Sequence, residues 1–264
     1  MVWEAQKQRR FGWAFLLGIS AFYAALNLGG MGLLLAPLGP LLGLGSTADS
    51  AEPALWQLAV GWFVIALIYV PAYWALAFST KHLGWSLAEW GFGFSPRTWV
   101  ALGLSTLLVA LAWWPTEPSS GGISTDVTGL REAFSEVDTP MLLFLGYARI
   151  AEELVYRGFA LVFLRRFLPP SRYRTALAVL GSSVLFCLAH THFSPSQLVP
   201  LFLGGALPLA AFTVWSRSLC LALVIHGAVG GGHVGALVAL LFYVAVAMFS
   251  RGTTSAPAEE ARSA

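Results

Sequence analysis

The chain has 264 residues, of which 57% are apolar and only 11% are charged. A soluble domain carries about 25% charged residues, so this composition excludes an ordinary soluble protein and indicates a protein that lies in a membrane. The formal net charge of +2 is too small to predict an acidic or basic partner, and two cysteines exclude a disulfide framework or a cysteine-rich metal site.

Apolar stretches of about 20 residues, long enough to cross a bilayer as helices, recur along the whole chain. A backbone in lipid must satisfy its own hydrogen bonds, so we predict an all-α polytopic membrane protein with about eight transmembrane helices. The eight predicted spans are 12–36, 55–78, 98–115, 141–164, 175–192, 196–214, 218–231 and 234–249. The seventh is short, ends at the run Gly230-Gly231-Gly232 and is expected to be broken or only partly submerged. Residues 1–250 are therefore predicted to be one integral membrane domain, and 251–264 a disordered tail.

Two connecting segments have a distinct composition. Residues 79–97 mix tryptophan and phenylalanine with polar groups, which predicts a segment that lies along the membrane surface. Residues 116–138 are rich in glycine, serine, threonine and acids, and they read as a polar loop. Pro140 follows this loop and is suited to the first turn of the fourth span.

The distribution of charge predicts the orientation. With an even number of spans and the N-terminus inside, 12 of the 15 Lys and Arg residues fall in cytoplasmic segments, and acids dominate the outer loops. This pattern predicts an N-in, C-in protein and indicates that the basic clusters orient the chain rather than bind nucleic acid. Abundant Ala, Leu, Gly and Arg with only two lysines is typical of a GC-rich bacterial genome, so we expect a multi-pass bacterial inner or plasma membrane protein.

The fourth span carries charged residues within an apolar stretch. Glu152, Glu153 and Arg157 lie within 141–163, where one charge at the bilayer centre costs roughly 2.5–3.5 kcal/mol. Such residues are by default a functional site. Glu153 and Arg157 are four apart, so they share a helix face and are predicted to pair. Arg149 can reach either glutamate, and Glu152 is predicted to be the less tightly paired acid that faces a cavity as a general base.

Histidines form the second half of the predicted site. His190 closes span five and His226 lies inside span seven, whereas the others lie nearer the predicted interfaces, namely His82, His192 and His233. Two histidines on separate helices beside Glu152 can activate a water molecule and donate hydrogen bonds to an oxyanion. The same three side chains can also bind zinc, although the chain has no H-E-x-x-H helix.

The order of these motifs resembles a known family. Glu152-Glu153-x-x-x-Arg157, Phe186-x-x-x-His190 and His226 are similar to the successive motifs of the CPBP family, which comprises CAAX prenyl protease, bacteriocin-processing and abortive-infection intramembrane endopeptidases. The resemblance covers 140–235. It implies an eight-helix fold and hydrolysis of a peptide bond in a membrane-anchored protein or peptide.

The resemblance also implies roles for individual residues. Glu152 and His190 would activate water, and His226 would hold the oxyanion. The residues expected to support the site are Glu153, Arg157, Arg149 and Phe186. Family members have been described both as glutamic proteases and as metalloproteases; we expect no cofactor, with zinc held by Glu152, His190 and His226 as the alternative.

One position departs from the family pattern. The third motif usually reads His-x-x-x-Asn, but Gly230 stands four residues after His226, and Asn27 is the only asparagine in the chain. Losing one oxyanion donor typically costs 10²–10³ in rate. Backbone N–H groups near Gly230, His233 or Asn27 are candidates to replace the amide.

Two other functions stay open on the sequence alone. A catalytically silent membrane scaffold or immunity-type partner of the same family would explain Gly230. A proton-coupled transporter would use the buried acids and histidines as a relay, but the chain shows none of the repeat symmetry that transporters favour. For the enzyme, we expect a role in protein maturation or sorting, with the lipid bilayer and a membrane-anchored substrate as partners and no nucleic acid.

Overall fold

The structure, a computed structural model, describes residues 2–25, 69–81, 83–112, 139–190 and 193–253. Within these ranges the chain forms helices joined by turns, with no strand, which confirms the predicted all-α class. The predicted polar loop and parts of the first three predicted spans lie outside the described residues, as does the tail beyond 253.

Seven helical segments are described, and we number them in chain order. They are α1 (Val2–Ala25), α2 (69–81), α3 (Pro96–Ala112), α4 (139–167), α5 (Arg174–Ala189), α6 (Pro195–Ser216) and α7 (Cys220–Thr253). By length and composition, two helices of the described ranges could cross a membrane, Pro195–Ser216 and Gly232–Ser250. Three shorter apolar helices accompany them, Pro96–Leu111, Arg174–Ala189 and Cys220–Val229.

Helix α4 changes its winding at the charged motif. It is α-helical over Thr139–Glu153, becomes a π-helix over Leu154–Ala160, and returns to α-helix over Leu161–Phe167 before the Pro169-Pro170 pair. All seven residues of the π-helical segment are buried. π-Helical turns are rare and occur most often at functional sites. The wider winding sets the directions of the residues that follow Glu153.

Helical backbone runs through the whole of α7, but the chain reverses within it at Gly232, which has a φ of 58°. A Cβ on Gly227 would lie 2.6 Å from the carbonyl oxygen of Gly235, and one on Gly146 would lie 3.1 Å from the Gly235 Cα. Three glycines therefore let α4 and the two arms of α7 pack backbone to backbone, a common device between membrane helices. Gly232 lies between the predicted seventh and eighth spans, and the reversal there separates the two arms.

Connections between helices gather at one end of the bundle. Gln8 of α1 donates to the Leu83 carbonyl at 3.2 Å, and Arg97 of α3 donates to the Trp215 carbonyl at 3.0 Å. We call this the basic end, because it carries Lys7, Arg9, Arg10, Lys81, Arg97, Arg165, Arg166, Arg172, Arg174 and Arg217. The clustering agrees with the charge pattern that predicted the cytoplasmic side.

The segment 83–95 turns its aromatic side chains into the bundle, while residues 84, 86, 88 and 89 are exposed. Trp85 and Trp90 are each 1% exposed, and Phe92 is fully buried. The rings pack into the core, where Trp85 stacks on Phe159 with centroids 5.2 Å apart. The Tyr243 hydroxyl holds the segment by donating to the Gly93 carbonyl at 2.6 Å. These aromatic side chains belong to the core because they pack against α4, as the contact between Trp85 and Phe159 shows.

Candidate active site

Helices α4, α5 and α7 bring the predicted catalytic residues together. Oε2 of Glu152 lies 3.5 Å from Nε2 of His226 and 3.7 Å from Nε2 of His190. The exposed fraction of the side chain is 12% for Glu152, 11% for His226 and 9% for His190. Both distances exceed a good hydrogen bond, so Oε2 of Glu152 lies beside both imidazole nitrogens without a direct hydrogen bond to either.

Glu152 is not the loosely held acid that the sequence predicted. Nη1 of Arg149 donates to both of its oxygens, at 2.7 and 3.0 Å. The spacing of three residues places the guanidinium one helical turn before the carboxylate, on the same face. Arg149 thus fixes the rotamer of Glu152 and balances its charge while Oε2 still faces the histidines.

Glu153 is fully buried and contacts two partners. Its Oε1 lies 3.0 Å from Nη1 of Arg157, which confirms the predicted pairing, and 2.7 Å from Nδ1 of His226. An ionised carboxylate only accepts hydrogen bonds, so Nδ1–H of His226 is the donor. The contact between Glu153 and His226 was missed on sequence, because spacing along one helix carries no information about a side chain from a distant helix.

Phe186 lies at the centre of the site. Its backbone carbonyl accepts a hydrogen bond from Nδ1 of His190 at 2.8 Å, and its ring lies 4.3 Å from the His190 ring and 5.6 Å from the His226 ring. The Arg157 guanidinium lies 4.0 Å from the Phe186 ring centroid. Because Nδ1 of His190 is the donor, the neutral ring presents the lone pair of Nε2 towards Glu152.

An apolar cavity of about 370 Å³ lies between α3, α6 and α7 and touches the site at His226, although neither Glu152 nor His190 lines it. His226, Phe186 and Arg157 lie in its wall, and the rest of the wall is almost entirely apolar. The larger apolar side chains that line it include Leu104, Leu108, Leu201, Leu209, Phe212 and Ile225. The cavity therefore has a polar patch at the site and hydrocarbon elsewhere, which is the usual composition of a ligand pocket.

Residues 137–231 match the family model described as type II CAAX prenyl endopeptidase Rce1-like. This segment is similar to the Rce1-like family. It contains all three motifs and covers roughly a third of the chain. The family is a membrane-embedded peptidase family, so peptidase is the class of enzyme that the match supports. No curated protein and no solved structure matches the chain.

The zinc alternative would place the ion among Glu152, His190 and His226. Within the described ranges, no group of three His, Cys, Asp or Glu side chains is arranged to hold a metal ion. Arg149 already donates to both oxygens of Glu152, so a divalent cation there would face a guanidinium and compete for the same lone pairs.

Tyr156 is a residue of the Rce1-like segment that sequence reasoning missed. It is fully buried, and its hydroxyl lies close to the Ser20 hydroxyl of α1 without a hydrogen bond of good geometry. That hydroxyl lies within electrostatic reach of Glu152, and its ring meets Phe186 edge to face at 5.4 Å. Its position four residues after Glu152 was the available signal. Of the other donors considered, His233 is exposed and Asn27 lies outside the described residues.

Proposed function

We propose that this protein is an intramembrane endopeptidase of the glutamic type, which hydrolyses a peptide bond in a membrane-anchored protein or peptide. The observation that carries the proposal is the convergence of Glu152 Oε2 with Nε2 of His190 and Nε2 of His226, at 3.7 and 3.5 Å. Three helices supply these groups, and the motifs that contain them lie inside the Rce1-like match.

Glu152 and His190 act on the water. Both present acceptors, Oε2 and the lone pair of Nε2, so a water molecule can donate one hydrogen to each. Glu152 removes one proton as the water oxygen attacks the carbonyl carbon of the substrate. The proton then passes to the nitrogen of the departing amine as the C–N bond breaks. Arg149 keeps the carboxylate of Glu152 oriented towards the water throughout.

His226 stabilises the oxyanion. Its Nδ1–H is held by Glu153, so when the ring is protonated Nε2–H is aimed at the reaction region and can donate to the negative oxygen. Glu153 stabilises the imidazolium charge and fixes the ring. Gly230 lacks the amide that the family pattern has there, and the hydroxyl of Tyr156 supplies a second donor from α4.

The apolar cavity receives the substrate. A segment that is itself embedded in the bilayer presents apolar side chains, and the wall beside His226 offers them a matching surface. This favours a membrane-anchored substrate that is processed during maturation or sorting. The protein carries out this reaction as a multi-pass protein of a bacterial membrane, with about eight spans and both termini inside.

Loss of processing in Glu152→Gln tests the proposal. Cells that express wild type or the variant at equal abundance are compared by sequencing the termini of membrane proteins. The amide keeps the size of the side chain but is not a base, so we expect at least one fragment to disappear in the variant while thermal unfolding of the purified protein stays unchanged. Identical termini in the two strains would contradict the proposal and favour the catalytically silent scaffold.

The glutamic mechanism has its own test. A metal chelator added to purified enzyme with an identified substrate is expected to leave the rate within twofold, since no step needs a metal. A rate that falls with chelator and returns on addition of zinc would instead establish the metal-dependent alternative, and it would leave the peptidase assignment intact.

A further inference from the structure

A second cavity, of about 480 Å³, opens at the basic end of the bundle. It is formed by four separate stretches of the chain: the segment 88–91, the second half of α4, the start of α5, and the end of α6. Five arginines and one glutamate line it, a formal net charge of +4. The arginines are Arg157, Arg165, Arg166, Arg174 and Arg217. We call this the arginine cavity.

The charge of the arginine cavity is poorly balanced within the protein. Glu89 reaches only Arg166, at 3.5 Å, and both side chains are almost half exposed. Neither Arg165 nor Arg217 forms an ion pair within the described residues. Orientation in the membrane requires positive charge at this end of the bundle, but it does not require that guanidinium groups converge on one cavity.

Two buried side chains in the wall carry donors without an acceptor. Trp90 is 1% exposed, and its indole N–H has no hydrogen-bond partner within the described residues. Arg157, also 1% exposed, contacts Glu153 through Nη1, but its Nε has no hydrogen-bond partner there either. A buried donor that lacks an acceptor destabilises a fold, so these groups point to an acceptor that is not among the described residues.

Arg217 adds backbone strain to the same wall. It ends α6 with a φ of 54°, in the left-handed region that glycine adopts most easily, and it is the only non-glycine residue with positive φ among the described residues. Strained positions of this kind persist where the side chain has a function. Glycine would relieve the strain but would remove a guanidinium from the arginine cavity.

We propose that the arginine cavity binds a phosphate group, supplied by the headgroup of an anionic membrane lipid. Guanidinium groups match the geometry of phosphate oxygens and bind them through paired hydrogen bonds. Basic pockets between membrane helices at the cytoplasmic surface bind anionic lipid headgroups. A soluble phosphate offers the same oxygens without the acyl chains, so the two sources require separate probes. This proposal does not depend on the peptidase reaction.

The test is binding to the purified full-length protein in a neutral detergent at fixed ionic strength. The probes are dioctanoyl phosphatidic acid, dioctanoyl phosphatidylcholine and inorganic phosphate. Binding of each probe is measured as the rise in the thermal unfolding temperature of the protein. Arg165→Gln and Arg217→Gly remove one guanidinium each from the arginine cavity. Arg172→Gln is the matched control, because Arg172 lies at the same end but does not line the cavity.

We expect phosphatidic acid to raise the unfolding temperature and phosphatidylcholine to raise it much less. Arg165→Gln and Arg217→Gly should weaken phosphatidic acid binding at least tenfold, and Arg172→Gln less than twofold. Arg217→Gly should also unfold at a higher temperature than wild type when no lipid is present, which separates lost binding from a damaged fold.

Stabilisation by inorganic phosphate as strong as that by the lipid would assign the site to a soluble anion and overturn the lipid source. Equal weakening in Arg172→Gln, or no response to any phosphate, would overturn the site.

Discussion

The imidazole of His226 contacts Glu153 through one nitrogen, at 2.7 Å, and lies 3.5 Å from Glu152 through the other. Two consecutive residues of a helix point about 100° apart, so adjacent carboxylates do not usually share one partner. The ring of His226 spans that angle because it comes from a neighbouring helix and lies between the two acids. In the proposed mechanism, Glu153 is therefore a positioning residue, which acts on the reaction by holding His226.

Glu153→Gln should impair both the fold and the reaction. The amide leaves the buried Arg157 guanidinium without a counter-charge, and removing one partner of a buried pair costs about 3–5 kcal/mol of unfolding free energy. It also removes the anion that holds His226, so we expect processing to fall at least tenfold. The measurements are denaturant unfolding and processing of an identified substrate. Glu153→Gln with Arg157→Met should regain stability but not processing; recovery of both would show that Glu153 is structural only.

His190→Ala should remove processing and keep the fold. The ring contributes an acceptor to the water, and general-base assistance is worth about 10²–10⁴ in rate. His233→Ala is the matched control, because His233 is exposed on the second arm of α7. We expect the control to process substrate within twofold of wild type. A larger loss in His233→Ala than in His190→Ala would move the site to the other face of α7.

Tyr156→Phe should lower the rate far more than the stability. Phenylalanine removes a buried hydroxyl whose neighbour is the Ser20 hydroxyl, so the free energy of unfolding should change by no more than about 0.5–1.5 kcal/mol. The same change removes the proposed oxyanion donor, and kcat should fall by about 10²–10³. Tyr173→Phe is the control, since Tyr173 is 55% exposed. An unchanged kcat in Tyr156→Phe would show that another group replaces the missing amide.

Gly235→Ala tests whether close packing of α7 positions His226. A Cβ on Gly235 would overlap the Gly227 carbonyl, and overpacking of this kind typically costs about 1–3 kcal/mol. The arms of α7 would separate, and processing should fall together with stability. Gly103→Ala is the comparison, because a Cβ there meets nothing within 4 Å. It should leave stability unchanged or raise it by up to about 1 kcal/mol. Equal effects of the two substitutions would exclude the packing role.

The sequence predicts the parts of this site that depend on composition and spacing. The apolar composition restricts the fold to membrane helices. The two adjacent glutamates, followed by two histidines in later helices, restrict the chemistry of the site. The spacing of Glu153 and Arg157 predicted their contact. It does not predict the π-helical winding after Glu153, because no local propensity distinguishes that segment from an α-helix. It could not assign Arg149 to one glutamate, because both lie within a turn of it. The burial of Trp90 depends on Gly158, where a Cβ would meet the tryptophan ring at 2.5 Å.

The reversal of α7 has a consequence for the order of biosynthesis. His226 lies on the first arm, but the second arm holds that arm in place through Gly235, and Ser218 is tied to the Tyr243 hydroxyl at 3.0 Å. A ribosome that has just completed His226 has therefore made every proposed catalytic group without the support that positions them. The proposed active site is complete only after the chain has been synthesised past Tyr243, so a chain that ends earlier would carry all three motifs but not the assembled site.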